Sequence, residues 1–450
     1  MKLDDLLSRN EGKTLEFKRD LSSPENLLKT LTAFANSAGG TLLVGVEDGT
    51  RRLRGVADVL KEEERVASLI TDGIIPRLMP EIEILSYRKL QILAVVVHPS
   101  PLRPHHLARL GPELGAYVRV GSTNRRADRE LLAEMKREAR LESFDEQPLP
   151  ARNTEVLDFL VASELFAPAK KLKRADLETL KITVSYQGRQ VPSIGGMLLF
   201  GKDRFKDLPD AYIQAGAFDG KDKAHIEDSQ EFREPLLGMI EPALKFIGRQ
   251  LRQGIEIKGI RNTRVSEIPP LALREALVNA LVHADYSQHG GPIRLAVFDD
   301  RVEIENPGLL PFGLTPEEAF NGVSKVRNRV LARVFKELDY IEQWGSGLQR
   351  IRDACEGMGL KAPILEELGN RVRLTLYRTR QKAPLERGRQ DQLVLDTLKK
   401  RGPLSPGQIA KLLGLTPRAT RNRMNALADH GLVRATGTST KDPKRTYVLA

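Results

Sequence analysis

The chain has 450 residues, of which 40% are hydrophobic and 29% are charged. These values are ordinary for globular protein, and the length suggests two to four domains at roughly 100–200 residues each. The apolar runs are too short for a transmembrane helix, the charged first residues lack the apolar core of a signal peptide, and a single cysteine excludes an internal disulfide. We therefore expect a reduced, cytoplasmic setting and no membrane partner.

The positive charge is concentrated towards the C-terminal end. The net charge is +11, and residues 381–450 hold 14 Lys/Arg against 5 Asp/Glu, which leaves the rest of the chain nearly neutral. A basic segment on a neutral body is the electrostatic signature of a polyanion-binding protein. The alternative is a merely soluble tail, and the pattern of the segment, described below, argues against it.

Residues 1–145 alternate helical and strand patterns and predict a mixed α/β domain. After EGKTLEFKRD, a helix begins near Ser23 and Pro24 and ends at a tight turn containing Asn36, Gly39 and Gly40, which leads into a buried strand. Strands EIEILSY and LQILAVVVHP, a late strand GAYVRVGSTNRRA and a helix DRELLAEMKREAR follow. The isolated pair His105-His106 is expected on a surface loop.

Three segments give this domain a resemblance to a known family. They are E-F-K-R, then A-F-A-N-S-A-G-G-T-L-L-V-G-V-E-D-G, then Y-V-R-V-G-S-T-N-R-R-A, and together they resemble the Schlafen AlbA-type domain over about 120 residues. Bacterial members of that family are usually described as DNA-binding domains, whereas eukaryotic Schlafens include nucleases that cut structured RNA. The resemblance therefore implies binding to nucleic acid, duplex DNA or RNA.

The same resemblance implies a candidate nuclease site. The family's acid cluster corresponds to Glu11, Glu16 and Asp48, and three carboxylates can hold a divalent ion that activates water or clamps a phosphate. The alternative is structural: Glu16 and Lys18 pair with Arg119, and Asp48 initiates a turn. Because a backbone clamp needs cations spread over a face, we expect five basic residues near phosphates: Lys18, Arg19, Arg119, Arg125 and Arg126.

Residues 150–380 contain a second recognisable pattern. A helix, REALVNALVHADY, is predicted from about Leu271 and places Glu275 and Asn279 four residues apart on one face, which His283 continues. Two strands follow in GPIRLAVFDDRVEIENPGLLP, joined at a turn. With G-G-M-L-L-F-G-K-D, N-P-G, S-K-V-R-N and W-G-S-G-L, the region resembles the GHKL ATPase fold in the variant found in proteins labelled RecG-like or helicase-related.

This resemblance implies ATP with Mg²⁺ as a cofactor. In the GHKL family the Glu positions water, and the Asn binds the magnesium that bridges the phosphates. The family's glycine box is broken here, and the adenine-binding Asp is replaced by Glu305 or Asn306, depending on the alignment. The cofactor-binding candidates are Glu275, Asn279, Glu305, Asn306, Gly308, and the helix-start glycines Gly345 and Gly347, whose amides can meet phosphate. The alternative is a scaffold that kept the fold and lost the nucleotide.

Neither a helicase motor nor a metal site is predicted in this region. Gly196-x-x-x-x-Gly201-Lys202 imitates a P-loop in letters, but Asp203 stands where a P-loop has Ser or Thr. The intervening MLLF is expected to be an apolar strand. His283 and Asp285 lack further ligands at metal-binding spacing, so we expect structural roles for them.

Residues 390–450 predict three helices and a two-stranded hairpin, after a linker at 378–390. The first helix, in DQLVLDTLKKRGPLS, is expected to place Leu393, Val394 and Leu398 on one face, and Ser405 and Thr416 are placed to cap the second and third helices. The order resembles the winged helix-turn-helix modules of bacterial transcription factors over about 60 residues.

In such a module the third helix enters the major groove with its N-terminal half towards the base edges. That half contains four candidates, Arg418, Arg421, Asn422 and Arg423. The wing contributes candidates for phosphate contacts, Lys441, Lys444 and Arg445. A helix-turn-helix used for protein contacts is the alternative, and arginine at the groove-facing positions favours DNA.

Together these patterns predict a multidomain α/β (α+β) protein: a Schlafen AlbA-type domain over 1–145, a GHKL-like α/β sandwich over 150–380 and a winged helix over 390–450. We expect a DNA-binding transcriptional regulator, and a homo-oligomer, because paired reading domains usually bind two half-sites. Two alternatives stay open: a metal-dependent nuclease that the winged helix targets, and an assembly scaffold with two vestigial sites. Enzymatic activity, as ATPase or nuclease, is the weaker expectation.

Overall fold

The computed structural model describes residues 3–251, 253–258, 261–341, 345–378, 389–429, 432–436 and 446–449. The chain divides into two compact units, Met1–Thr379 and Arg380–Ala450. Within the described residues, no helix combines the length and the apolar composition that crossing a membrane requires.

The N-terminal part of the larger unit alternates helices and strands. Its helices are α1 (Leu3–Ser8), α2 (Pro24–Asn36), α3 (Val59–Gly73), α4 (Gly111–Leu114) and α5 (Arg129–Ala139). Its strands are β1 (Leu15–Lys18), β2 (Gly40–Val44), β3 (Ile74–Ile75), β4 (Glu81–Tyr87), β5 (Leu90–Val97), β6 (His106–Leu107), β7 (Tyr117–Val120) and β8 (Thr123–Arg126). The main sheet has the order β1–β2–β5–β4, with β1 parallel to β2 and the other neighbours antiparallel.

Alternation along the strands gives this sheet a core on each face. Leu42 and Val44 of β2 face a cluster with residues of α2 and α3, whereas Leu43 packs with Leu15 and Phe17 of β1 on the other face. Glu16 lies between Leu15 and Phe17 in β1, so its side chain points to the face that α2 covers.

The turn between α2 and β2 is rich in small residues because its backbone conformation and close packing leave little room for side chains. Gly39 has φ +77°, and a Cβ on Gly40 would lie 2.7 Å from the ring of Phe34, so neither position accepts a side chain without strain. The Asn36 amide donates to the backbone oxygens of His105 and Tyr117. The turn predicted at Asn36, Gly39 and Gly40 is therefore the joint between the main sheet and the β7–β8 hairpin.

The middle part of the larger unit surrounds a second sheet. Its helices are α6 (Phe159–Phe166), α7 (Arg174–Thr179), α8 (Ile194–Phe200), α9 (Ile240–Gln250), α10 (Pro270–His283), α11 (Pro316–Phe320), α12 (Arg329–Glu337) and α13 (Gly347–Gly357). Its strands are β9 (Thr183–Tyr186), β10 (Arg189–Pro192), β11 (Ile213–Phe218), β12 (Ile226–Phe232), β13 (Gln253–Lys258), β14 (Arg261–Ser266), β15 (Ile293–Val297), β16 (Arg301–Pro307), β17 (Ile364–Leu368) and β18 (Arg371–Tyr377). The six-stranded sheet has the order β12–β11–β15–β16–β18–β17, and only β11 and β15 are parallel among its described pairs.

The N-terminal and middle parts share a core. Leu309 and Phe312, which follow β16, pack into the cluster formed by β7 and α5, where Leu131 and Met135 lie. The guanidinium of Arg103 lies 4.8 Å from the centre of the Phe312 ring. Buried apolar area of this kind ties the two parts into one unit.

Polar contacts cross the same boundary. Lys13 Nζ lies 2.6 Å from Glu367 Oε1, and Arg327 Nε lies 2.8 Å from Glu134 Oε1. Asp145, which is fully buried, accepts hydrogen bonds from the first backbone amides of α12, at Val330 and Leu331. A carboxylate at a helix N-terminus satisfies amides that have no partner within the helix.

The smaller unit has helices α14 (Arg389–Arg401), α15 (Pro406–Leu413) and α16 (Pro417–Asp429) and strands β19 (Val433–Thr436) and β20 (Thr446–Leu449). The predicted caps are confirmed: Ser405 Oγ accepts from the Gln408 amide and Thr416 Oγ1 from the Ala419 amide. Val394 and Leu398 enter the core with Met424. This is the predicted order of three helices and a hairpin.

Three local expectations are wrong. The apolar run after Gly196 forms the buried helix α8 rather than a strand, and a Cβ on Gly196 would lie 2.1 Å from the Ile182 oxygen, so no phosphate fits there. His105 is buried rather than exposed, because its ring meets the Pro76 oxygen and the Ser100 hydroxyl. Leu393 is 46% exposed, on the outer face of α14.

Candidate functional site

The third helix of the smaller unit presents polar groups to solvent. Arg418, Arg421 and Asn422 are exposed in the N-terminal half of α16, as expected for groups that reach into a groove. Arg423 differs from them, because its Nε lies 2.5 Å from Asp391 Oδ1 and its Nη1 donates to Gln390 Oε1 at 2.7 Å. Arg423 thus connects α16 to α14. The wing candidates Lys441, Lys444 and Arg445 lie outside the described residues.

In the N-terminal domain, the negative charge of Glu16 is compensated by two cations inside the fold. Its carboxylate lies 2.5 Å from Arg119 Nη2 and 2.5 Å from Lys18 Nζ. The Arg119 side chain is 1% exposed, and it also donates to the Gly12 oxygen and to Asn124 Oδ1. A carboxylate with two cations on it has little charge left for a metal ion.

The other two acids of the proposed cluster are neighbours. Glu11 shares a side-chain hydrogen bond with Asp48, and its Oε1 accepts from the Phe17 amide at 2.6 Å. Burial, together with the nearby charges of Glu16 and Asp48, raises the pKa of Glu11 above its usual value. Within the described residues, no group of three or more His, Cys, Asp or Glu side chains is arranged to hold a metal ion.

The five cations predicted to contact phosphates separate into two groups. Arg19, Arg125 and Arg126 are exposed and available to a polyanion. Arg119 is buried against Glu16, so its predicted phosphate contact is wrong, because a guanidinium enclosed by the fold cannot reach a ligand at the surface. Lys18 is partly exposed and paired with the same carboxylate.

The middle domain contains a cavity of about 420 Å³ between α10, α12, α13 and the sheet. Ligand pockets commonly have volumes of about 300–1,000 Å³. Five of the seven residues predicted to bind the cofactor line it: Glu275, Asn279, Asn306, Gly345 and Gly347. The helix periodicity that places Glu275 and Asn279 on one face of α10 therefore puts both side chains against the cavity.

Glu305 and Gly308 do not line the cavity. Along β16, Ile304 and Asn306 face it, so Glu305 points to the opposite side of the sheet. There it lies 2.6 Å from Arg373 Nη2, in a salt bridge that lowers its pKa against the opposing effect of burial. Of the two residues that the sequence offered for the adenine position, only Asn306 lines the cavity, and Glu305 faces away from it.

Gly308 is required for packing. It has φ +95°, and a Cβ there would lie 2.7 Å from Arg327 Nη1. Arg327 uses its guanidinium to bond the His283 oxygen at the end of α10, the Leu309 oxygen and Glu134. Gly308 therefore makes room for the group that joins the N-terminal and middle parts.

The carboxylate of Glu275 is enclosed. Its Oε1 lies 3.2 Å from Arg274 Nη1, and its Oε2 lies 3.2 Å from Arg350 Nη2. A Cβ on Gly347 would lie 3.1 Å from Glu275 Oε2 and 3.2 Å from Asn279 Nδ2, so the start of α13 packs closely against both side chains. The side chain of Glu275 is 3% exposed.

The described lining of the cavity contains both cationic and apolar side chains. Its charged groups are one carboxylate, Glu275, and six cations: Lys325, Arg327, Arg329, Arg333, Lys336 and Arg350. Its apolar side chains include Leu310, Leu314 and Val372. His283 also borders the cavity, and burial lowers its pKa to about 4, so it stays neutral near neutral pH.

Sequence reasoning missed the two arginines that hold Glu275. A signal for Arg350 was present, since it follows Gly347 by three residues in α13 and so shares its side of the helix. Arg274 is the neighbour of Glu275 in the sequence, and adjacent residues in a helix do not usually face each other, so nothing pointed to it.

Three family models match successive parts of the chain. "Schlafen, AlbA_2" matches residues 11–128, "Putative ATP-dependent DNA helicase recG C-terminal" matches residues 290–376, and "Winged helix-turn-helix DNA-binding" matches residues 388–434. The three resemblances found in the sequence are thereby confirmed. The chain combines a Schlafen AlbA_2 domain, a RecG-type C-terminal ATPase-like domain and a DNA-binding winged helix, and its multidomain α/β fold class is confirmed as well.

Solved structures give more distant similarities. The DIP2311 protein from Corynebacterium diphtheriae aligns over 100% of this chain and 96% of its own, with 21% identity and a TM-score of 0.45. The N-terminal domain of a RecG-related protein from Nitrosomonas europaea aligns over 28% of this chain and 90% of its own, with 28% identity and a TM-score of 0.23. A comparison with curated proteins gives no significant match.

Proposed function

We propose that the protein is a DNA-binding transcriptional regulator whose winged helix selects the sequence. The observation that supports this most is the exposure of Arg418, Arg421 and Asn422 together at the start of α16. Arginine and asparagine are the side chains that most often read guanine and adenine edges in the major groove. A winged helix used only for protein contacts has no need of this combination.

In this proposal the other domains support the winged helix. The exposed Arg19, Arg125 and Arg126 of the Schlafen AlbA_2 domain add contacts to the nucleic-acid backbone, which strengthen binding without selecting a sequence. The protein acts as a homo-oligomer on paired half-sites, and sedimentation of the free protein and of its DNA complex measures this directly. The cavity of the middle domain senses a nucleotide.

The cavity fits the nucleotide part of this proposal. Its apolar side chains suit a base, its cations suit phosphates, and the amides at the start of α13 add further donors. Asn306 offers an amide to the base. The magnesium that the family resemblance implies fits less well, because the one carboxylate of the described lining, Glu275, already faces two arginines.

The DNA-reading role is tested by comparing two arginines. A preferred site is first selected from random duplexes, and binding to it and to a scrambled duplex is then measured by fluorescence anisotropy. Arg421→Ala is expected to weaken binding to the selected site by about 1–3 kcal/mol and to reduce the preference.

Arg401→Ala is the matched control, because it removes the same charge from an exposed position at the end of α14. It is expected to weaken binding to both duplexes to the same extent. If Arg421→Ala leaves the preference between the two duplexes unchanged, α16 does not read bases.

A metal-dependent nuclease is the second candidate. The contact between Glu11 and Asp48 and the raised pKa of Glu11 favour it, since paired carboxylates of this kind gain from a cation. The ion pairs of Glu16 count against it. Incubation of labelled tRNA and duplex DNA with Mg²⁺ or Mn²⁺ tests it: cleavage that Glu11→Ala abolishes would establish the nuclease, and intact substrate with wild type would remove it.

A further inference from the structure

The catalytic position of the middle domain is closed within the fold. In a nucleotide-hydrolysing site of the GHKL kind the Glu must hold a water. Here each oxygen of Glu275 lies 3.2 Å from a guanidinium nitrogen, and a Cβ on Gly347 would lie 3.1 Å from the same carboxylate. A carboxylate paired with two cations is a poor general base, because its negative charge is compensated and its affinity for a proton is lowered.

The charge of the lining suggests what replaces the metal. Nucleotide phosphates need positive charge around them, and this is usually shared between Mg²⁺ and basic side chains. The described lining has six Lys and Arg side chains, and the carboxylates in ion-pair contact with them include Glu134, Glu146 and Glu275, so part of the positive charge is left for phosphates without a metal. A magnesium ion would instead face an excess of positive charge, with Asn279 as a neutral ligand.

Several of these cations are held in place by groups outside the cavity. Glu146 lies 2.5 Å from Arg333 Nη2 and 3.9 Å from Arg329 Nη1, and Lys325 Nζ donates to the Phe312 oxygen at 2.7 Å. Side chains fixed in this way lose little entropy when an anion arrives. Lys336 is exposed beside them.

The geometry points to a cavity that binds a nucleoside polyphosphate as a ligand, without magnesium and without hydrolysing it. Arg350 and Arg274 are positioning residues that keep Glu275 from acting as a base, and Arg350 also lines the cavity. The inference rests on the nucleotide site of the proposed function and specifies its chemistry: the domain reports that a nucleotide is present and performs no work with it.

The first test needs no variant. Binding of ATP and of ADP to the full-length protein is measured by calorimetry, once with excess Mg²⁺ and once with excess EDTA, and phosphate release is followed in parallel. We expect equal affinity for ATP in both buffers and no phosphate release. Binding that disappears in EDTA, or steady phosphate release that Glu275→Gln abolishes, overturns this inference and leaves the nucleotide site in place. Absence of binding in both buffers removes the nucleotide site itself and this inference with it.

Two variants then test the assigned residues. Glu275→Gln removes the one negative charge of the described lining, so we expect tighter binding of ATP in EDTA. Arg350→Met removes a cation from the lining of the cavity, and we expect the affinity for ATP to fall by about tenfold or more, the usual consequence of losing a charged hydrogen bond. Arg352→Met, in the same helix but outside the described lining, is the matched control and should bind as wild type does. If Glu275→Gln weakens binding, Glu275 contributes to the ligand site and the assignment is wrong.

Discussion

In the Schlafen AlbA_2 domain and in the ATPase-like domain, a glutamate at a position that the family resemblances associate with chemistry is engaged in ion pairs. Glu16 lies between Arg119 and Lys18, and Glu275 lies between Arg274 and Arg350. In both places the glutamate of a motif that matches a catalytic pattern forms ion pairs within the fold. The letters of a motif therefore do not establish that its acid is available.

The two sites differ in how far their cations are buried. Arg119 is 1% exposed and has no path to water, whereas Arg274 and Arg350 are 35% and 28% exposed. The cost of losing a charged partner depends on whether the remaining charge can be hydrated. Glu16 should thus be a fixed part of its fold, and Glu275 should be replaceable at a smaller cost.

The largest effect is expected from Glu16→Ala. This change leaves Arg119 as an uncompensated buried charge, and we expect the free energy of unfolding of the larger unit to fall by about 3–5 kcal/mol. Urea denaturation followed by circular dichroism measures the loss. The double variant Glu16→Ala/Arg119→Leu is the control and should recover part of it, because the buried charge is then gone. A loss below about 1 kcal/mol would show that Arg119 reaches water and that the two sites are alike.

Asp145 sharpens the comparison, because it is a buried carboxylate that bonds mainly to backbone amides. It accepts from Arg329, Val330 and Leu331 at the start of α12, and burial raises its pKa to about 6. Asp145→Ala leaves no unpaired buried cation behind and removes only the hydrogen bonds that cap the start of α12. We therefore expect the free energy of unfolding to fall by about 2 kcal/mol in the same urea experiment. Asp145→Asn keeps an acceptor oxygen and should cost less. A loss as large as that of Glu16→Ala would mean that burying the acid, rather than stranding a cation, determines the cost.

Local pattern predicted the elements of this protein better than it predicted their environments. The helix of Glu275 and Asn279, the strands on either side of Asp300 and the caps at Ser405 and Thr416 depend on residues within one or two turns, and all are present. For Arg119 the sequence left two roles open, a phosphate contact and an ion pair with Glu16, and local pattern could not decide between them because Glu16 is 103 residues away. His105 was misplaced for the same reason, since its buried ring contacts the oxygen of Pro76, 29 residues earlier.

The residues of the candidate sites were likewise predicted only in part. Five of the seven cofactor positions reach the cavity because helical and strand periodicity determine which side chains share a face. The prediction for Glu305 failed because a shift of one residue along a strand moves a side chain to the opposite face of the sheet. The broken glycine box gave no fixed register that could decide between the two faces. The arginines around Glu275 come from tertiary contacts, which no single motif encodes.

For Glu275→Ala we expect a smaller loss of stability, about 1 kcal/mol, since Arg274 and Arg350 can turn towards water. The same urea denaturation, run beside Glu16→Ala, gives the comparison directly. Asn279→Ala is a useful control, because it changes the same helix face without removing a charge. If Glu275→Ala destabilises the protein as strongly as Glu16→Ala, the two arginines are enclosed, and the distinction between the sites fails.

The smallest effect concerns Glu11, the acid that the ion pairs leave beside Asp48. Its pKa in the folded protein is raised, mainly by burial and further by its contact with Asp48, so the folded state holds this proton more tightly than the unfolded chain does. The stability due to this group is therefore present below the unfolded pKa of about 4.5 and is lost as the pH rises through the pKa of Glu11 in the folded protein.

Asp48→Asn removes the acidic neighbour of Glu11. The decline of stability with rising pH should therefore become shallower than in wild type when urea midpoints are measured from pH 4 to pH 7. Asp72→Asn, an exposed carboxylate of α3, serves as the control and should keep the wild-type slope. An unchanged slope in Asp48→Asn would mean that Asp48 does not act on Glu11, and the two acids would then be independent surface groups rather than the remainder of a metal site.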